Sequence, residues 1–152
     1  MKNDNKGFSL IELIVVIAIM AILVGALAPQ YMKFVERSRK STDIQNVAAI
    51  KSALEIYAAD PMVATADALS TGTVTITTTA AAVSTSNATG NGNKALAAAG
   101  ISNIVLKSSK WPASGGDISS YDLTYTVASD GTIKFSETAL TTGYSILNGQ
   151  YK

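Results

Sequence analysis

The sequence contains no cysteine and no histidine. The absence of cysteine excludes disulfide bonds, thiol nucleophiles and cysteine-ligated metal sites. The absence of histidine removes the commonest general base and the commonest nitrogen ligand for metals. Serine and threonine are abundant, but no histidine is present to activate them, and the acidic residues form no convincing pair. We therefore expect no enzymatic activity, no catalytic residues, no metal site and no cofactor.

Charged residues are also scarce, at 15% of the 152 residues, and the net charge is only +1. Without a basic excess the chain lacks the electrostatic field that attracts nucleic acid, so we expect no specific nucleic-acid partner. The length leaves room for one compact domain beyond a membrane segment.

In contrast, a long apolar run is present. It begins at Phe8, ends at Ala28 and contains one charged residue, Glu12. As a helix, about 20 residues cross a hydrocarbon core of roughly 30 Å. An ionised carboxylate at that depth costs roughly 2.5–3.5 kcal/mol even on lenient scales, so we expect this charge to have a partner.

Three interpretations of the run compete. The first is a secretory signal cut after Ala28, which the basic residues Lys2 and Lys6 favour. Pro29 directly after the cut, the length of the run and the acid at Glu12 argue against it. The second is a plain membrane anchor.

The third interpretation, which we favour, is cleavage between Gly7 and Phe8. This cut removes a short polar leader and keeps the apolar helix. It also gives Phe8 a free amino group, which is mostly cationic near neutral pH. That group would lie one helical turn from Glu12 of its own chain and within reach of Glu12 of a neighbouring chain. Because desolvation offsets much of the attraction, the pair would fix the register of neighbouring subunits more than it would stabilise their assembly.

Residues 7–17 read Gly-Phe-Ser-Leu-Ile-Glu-Leu-Ile-Val-Val-Ile and resemble the N-terminal signature, or class III signal peptide, of type IV pilins and pseudopilins. The likeness continues more loosely to about Asp60, a little over a third of the chain. It implies cleavage after Gly7 by a prepilin peptidase, N-methylation of Phe8, and assembly from the membrane with a pilus ATPase and platform machinery. Many type IVa pilins close a C-terminal loop with a disulfide, which this chain cannot form.

The resemblance implies a major type IV pilin without disulfides. Such a protein is a structural subunit that self-assembles into a homopolymeric helical filament for adhesion, motility or surface interaction. It would be a precursor in the cytoplasmic membrane and then part of an extracellular filament. The alternative is a pseudopilin of a type II secretion or competence DNA-uptake machine, and a monomeric membrane-anchored binding protein is a further alternative.

Past the apolar run we expect the helix to continue. Pro29 has no N–H, so the Gly25 carbonyl loses its partner, which predicts a kink or a segment that can melt when subunits pack. A stripe of Val47, Ile50, Leu54 and Tyr57 predicts a face toward a sheet, with Lys51 and Glu55 facing elsewhere. The sequence Asp60-Pro61 predicts the helix end.

A charged stretch from Lys33 to Asp43 follows the apolar run. Its basic residues outnumber those before the run, which by charge counting favours a cytoplasmic C-terminal part. We give the N-terminal signature more weight because it is more specific. We interpret Arg37 and Lys40 as part of a solvated face, or as partners of acids on neighbouring subunits.

The remaining sequence predicts a small antiparallel sheet. Strand patterns occur at 73–79, 104–106, 121–127 and 132–135, with a turn at Ser129-Asp130-Gly131 and a possible strand at 144–147. A helical turn over 94–99 should end at Gly100. Trp111 should pack at the sheet edge. The acids Asp117, Asp122 and Asp130 fit turns and solvated faces better than calcium ligation. Asn87-Ala88-Thr89 matches a glycosylation triplet, which often arises by chance.

These patterns predict an α+β pilin fold, in which a long helix, first hydrophobic and then amphipathic, packs on a C-terminal antiparallel sheet. The expected segments are a cleaved leader at 1–7, a transmembrane or filament-core helix at 8–28, its amphipathic continuation at 29–60, a variable connection at 61–103, and the sheet at 104–152.

Overall fold

The computed structural model describes residues 7–78, 84–85, 91–101, 104–113, 115–137 and 140–150. The basic residues Lys2 and Lys6 and the triplet at Asn87 lie outside this part of the chain. The chain divides into two compact units, Met1–Arg37 and Ser38–Lys152. A single helix, α1 (Leu10–Ala59), contributes to both.

In the first unit, residues 13–28 of α1 are apolar on all sides, and every described side chain from 7 to 34 is exposed. Its most apolar 18-residue window has a mean hydropathy of 3.0 and is 0% buried. By length and composition this helix can span a membrane, a test that an N-terminal signal sequence also passes. The helix runs through Pro29 without interruption.

The second unit combines the rest of α1 with an antiparallel sheet and several short elements. The elements after α1 are β1 (Gly72–Thr77), β2 (Ser84–Thr85), α2 (Gly92–Ala98), β3 (Pro112–Ala113), β4 (Gly116–Asp117), β5 (Ser120–Val127) and β6 (Ile133–Glu137), with a 3₁₀ turn at Thr65–Asp67. The four-stranded sheet has the order β2-β1-β5-β6, and β3 pairs with β4 in a separate two-stranded sheet. The predicted α+β architecture of a long helix with a small antiparallel sheet is confirmed.

The predicted core stripe of α1 is confirmed. Val47, Ile50 and Leu54 are at most 1% exposed and belong to one hydrophobic cluster with residues of β1 and β5. Phe135 of β6 packs against this cluster. The expectation for Lys51 was wrong, because its Nζ lies 5.4 Å from the centroid of the Phe135 ring. A long alkyl stem lets a lysine beside the stripe reach over the sheet.

Several local signals are also confirmed. Helix α1 ends at Ala59, and the Asp60 carboxylate accepts a hydrogen bond from the Met62 N–H at 2.8 Å. The strand predicted at 73–79 is β1, and its pattern puts Val74 and Ile76 in the core together. The turn between β5 and β6 uses Gly131 with a φ of 82°.

The predicted helical turn before Gly100 is α2, and Gly100 follows it with a φ of 72°. A left-handed residue at this place is the usual way to end a helix, and glycine adopts it without strain.

Two predicted strands were wrong. Residues 104–106 are irregular, although the Leu106 N–H does donate to the Thr77 carbonyl at 3.0 Å. Residues 144–147 form turns, with an isolated bridge between Ser145 and Gln150. In the second case the Ile146 and Leu147 amides donate to the Glu137 carboxylate, so they are not available for a strand ladder.

Candidate functional site

The first candidate site is the start of α1. Gly7 and Phe8 precede the helix and are exposed, Phe8 at 89%. A Cβ atom added to Gly7 would meet no atom within 4 Å. Nothing in the described fold therefore requires glycine at this position.

Glu12 lies in the first turn of α1 and has a hydrogen-bond donor within its own chain. Its Oε2 accepts the Ser9 N–H at 2.8 Å. Ser9 directly precedes the helix, so Ser9 and Glu12 have the spacing of a capping box, in which an acid satisfies a free amide at the helix start. Our sequence reasoning missed this contact, although the Ser-x-x-Glu spacing was visible.

An open groove of about 390 Å³ surrounds this carboxylate. Apart from the carboxylate its walls are apolar, and the residues that line it are Phe8, Ile11, Glu12, Val15 and Val16. A helix that is hydrophobic all round is stable only when lipid or other protein covers it. The site thus presents one acidic group at the end of a large uncovered apolar surface.

Gly25 and Pro29 lie in the middle of this apolar segment. Because proline has no N–H, the Gly25 carbonyl has no donor four residues on. A Cβ atom on Gly25 would meet nothing within 4 Å. Within the part of the chain that the structure describes, Gly25 therefore has no packing role.

The second notable cluster lies in the charged stretch, where the structure corrects a prediction. Lys40 was expected on a solvated face or against a neighbouring subunit, but it is only 7% exposed. Its Nζ lies 5.1 Å from the Trp111 ring centroid and 4.8 Å from that of Tyr144. Ammonium groups are attracted to aromatic faces at such distances, and desolvation strengthens the attraction. Arg37, by contrast, is exposed.

Asp43, one turn further along α1, is 1% exposed. Its carboxylate accepts the Lys107 N–H at 2.6 Å, the Ser108 N–H at 3.0 Å and the Trp111 indole N–H at 3.0 Å. Trp111, which was expected to pack at the sheet edge, is 0% exposed and belongs to the core. Sequence reasoning did not assign Asp43 a role.

The three acids considered for calcium are not gathered. Asp122 accepts the Thr75 hydroxyl at 2.6 Å, and Asp117 is exposed in β4. Asp130 accepts both the hydroxyl and the N–H of Thr132, which lowers the pKa of Asp130 below its ordinary value. Among the residues that the structure describes, no group of three or more acids could hold a metal ion.

Comparison with known proteins agrees with the features at the start of α1. Residues 2–28 match the family model described as "Prokaryotic N-terminal methylation motif". The chain is 38% identical over 64 residues to "Prepilin peptidase-dependent protein A" of Clostridium perfringens, covering 42% of this chain and 46% of the relative. It is 38% identical over 60 residues to "Type IV major fimbrial protein FimA" of Dichelobacter nodosus, covering 40% and 38%.

A further relative is "Fimbrial protein EcpC" of Eikenella corrodens, 39% identical over 72 residues and covering 47% of each chain. The chain therefore spans less than half the length of these three relatives. No solved structure matches the chain significantly. The relatives from Dichelobacter nodosus and Eikenella corrodens are named as fimbrial proteins, and neither name denotes an enzyme. The N-terminal part of the chain thus matches the methylation motif and is similar to two fimbrial proteins and to a prepilin peptidase-dependent protein.

Proposed function

We propose that the protein is the subunit of a type IV pilus that assembles by bundling of its N-terminal helices. The observation that carries this proposal is the fully exposed apolar segment of α1 with one carboxylate, Glu12, at its start. The filament would be extracellular and would serve adhesion, motility or contact with surfaces.

The apolar surface alone does not show whether lipid or neighbouring helices of a filament cover it. Lipid tails are as apolar as leucine, so helix association in a bilayer depends on packing and on polar contacts. The acid is therefore the discriminating group: at bilayer depth an ionised side chain costs roughly 2.5–3.5 kcal/mol. Pairing with a cation of another copy offsets that cost in the filament.

The hydrogen bond from Ser9 leaves other acceptor positions of the Glu12 carboxylate available. An ionised carboxylate has two oxygens and about four acceptor positions, and the Ser9 N–H uses one of them. After cleavage, the amino group of Phe8 from a neighbouring copy can use another. Because both charges are desolvated when they meet, we assign this pair to register more than to net stability.

Processing fits the same geometry. Gly7 is exposed and outside the helix, where a prepilin peptidase can reach it, and the fold imposes no reason for glycine there. We infer that the requirement for glycine lies with the peptidase. N-methylation of Phe8 keeps the positive charge of the amine, so the pairing with Glu12 survives this modification.

We assign Gly25 and Pro29 to the adaptability of the helix during assembly. The missing hydrogen bond at Pro29 and the low helix propensity of glycine weaken this turn. The segment between them can then stretch or melt locally when neighbouring helices pack against it.

In this proposal the precursor resides in the cytoplasmic membrane, where lipid covers the apolar segment. The prepilin peptidase, the assembly ATPase and the platform machinery act there, and the mature chain then leaves the bilayer for the filament on the cell surface.

Mass spectrometry of the native N-terminus, combined with shearing of cells, tests the proposal. We expect a chain that begins at Phe8, carries one extra methyl group and is abundant in the sheared fraction. A chain that begins at Met1 or Pro29 would contradict the assigned cleavage. A chain that is cut at Phe8 but absent from the sheared fraction would contradict a major pilin and favour a pseudopilin.

A further inference from the structure

Two segments of the second unit lie outside its four-stranded sheet. They are residues 104–113 and 140–150, which we call the side lobe. The two segments are joined to each other, since the Thr141 N–H donates to the Pro112 carbonyl at 2.8 Å and Leu140 bridges to Ala113. The side lobe is thus one continuous piece of structure built from two stretches of chain.

Helix α1 holds the side lobe through Asp43 and Lys40. Three donors from the side lobe bond to the Asp43 carboxylate: two backbone amides and the Trp111 indole. The Lys40 ammonium contacts one aromatic ring from each segment, Trp111 and Tyr144. Hydrogen bonds to an ionised acceptor are about twice as strong as neutral ones, and this acceptor is buried.

A second carboxylate holds the side lobe to the sheet. Glu137, the last residue of β6, accepts the Ile146 N–H at 3.1 Å and the Leu147 N–H at 2.9 Å, as well as the Ser145 hydroxyl. The same carboxylate accepts the Tyr121 hydroxyl of β5 at 2.9 Å. Glu137 therefore connects two strands of the sheet with the C-terminal turn.

The side lobe is held by the carboxylates of Asp43 and Glu137, by Lys40 and by the hydrogen bond from Leu106 to Thr77. We propose that the lobe opens as a unit separate from the four-stranded sheet when Asp43 is released. The ladders of β1, β5 and β6 do not pass through the side lobe, so its release leaves those ladders intact. Opening exposes Leu106, Trp111 and Ile146, which belong to the core, and this keeps the closed form favoured. The inference concerns the second unit and is independent of filament assembly.

The replacement Asp43→Asn tests the proposal in the full-length chain in detergent. Asparagine is of equal size, but its amide nitrogen cannot accept a hydrogen bond, so at least one donor of the lobe is left facing another donor. We expect the Lys107 and Ser108 amides to exchange with solvent about tenfold faster or more. The matched control is Asp122→Asn, which removes a carboxylate bonded to Thr75 within the sheet.

Fluorescence gives a second measurement, because Trp111 is the only tryptophan in the chain. We expect its emission to shift to longer wavelength in Asp43→Asn and not in the control, while the amides of β5 keep their protection. Unchanged exchange at Lys107 and Ser108, or equal acceleration in β5, would overturn the proposal.

The unaltered protein gives a test that does not depend on the variant folding. In native-state hydrogen exchange with low urea, the side-lobe amides should open by a step with a smaller urea dependence than β5, because a smaller surface is exposed. Equal urea dependence in the two regions would mean that the lobe opens only with the whole unit, and the proposal would fail.

Discussion

Replacing Glu12 by glutamine or by alanine separates two effects of this side chain. Glutamine keeps a carbonyl oxygen at about the distance from which Glu12 Oε2 now accepts the Ser9 N–H, 2.8 Å, but it carries no charge. Alanine removes the hydrogen bond as well as the charge. An N-terminal capping contact contributes roughly 0.5–2 kcal/mol to a helix, whereas a charge at membrane depth costs roughly 2.5–3.5 kcal/mol.

We expect Glu12→Gln to be cleaved normally and to remain mostly in the membrane. Without the charge, the single chain in lipid is more stable by at most about 2.5–3.5 kcal/mol, because the glutamine amide is itself costly to bury. This corresponds to at most roughly two orders of magnitude in the partition between membrane and filament. Glu12→Ala should also assemble poorly and should in addition lose helix content at its N-terminus. The assay compares the amount of chain in sheared and membrane fractions, with circular dichroism of the purified chain.

The matched control is Glu55→Gln, the same change at an exposed position of α1 in the second unit, which should assemble normally. If Glu12→Gln formed filaments at the normal yield while Glu12→Ala did not, the hydrogen bond to Ser9 would be the important contact. The reasoning from charge pairing would then be refuted.

Three further predictions concern cleavage, the core and alkaline pH. Gly7→Val should leave uncut precursor of higher mass in the membrane, and normal cutting would contradict the assigned site. Leu54→Ala should lower the free energy of unfolding by about 2–5 kcal/mol, whereas Ile56→Ala, at a position 71% exposed, should change it by at most about 0.5 kcal/mol. Equal losses in denaturant titrations would contradict the assigned stripe. Burial, with the Glu137 charge, raises the pKa of Tyr121, so the native state keeps the phenol neutral. Because unfolded tyrosine ionises near pH 10, stability should fall as pH rises above about 10. Unfolding titrations should show a smaller fall for Tyr121→Phe, and an equal fall would contradict this assignment.

Local patterns predicted much of the fold. The length and apolarity of the N-terminal run are enough to predict a membrane-length helix, and the alternation of β1 and β5 puts their apolar residues on one face. The helix end before Pro61 and the turn at Gly131 follow from the conformational limits of proline and glycine. The capping contact between Ser9 and Glu12 is also local, and the spacing of the two residues was enough to predict it.

The role of Asp43 was not predictable in this way. Its partners lie 64–68 residues further along the chain, so no local period signals that this acid is buried. Lys40 is likewise predicted to lie on the surface, because the rings of Trp111 and Tyr144 that contact it come from distant parts of the sequence. The apolar stretch 104–106 has the pattern of a strand, but among the described residues its backbone bonds through Leu106 and forms no ladder.

The hydrogen bonds that the buried Asp43 carboxylate accepts have a consequence for where the second unit can fold. Disulfide bonds form and persist in oxidising environments. In contrast, the hydrogen bonds between a buried carboxylate and backbone amides form without an oxidant or a disulfide isomerase. The unit should therefore reach the same structure on either side of a membrane, and reducing agents should leave it unchanged.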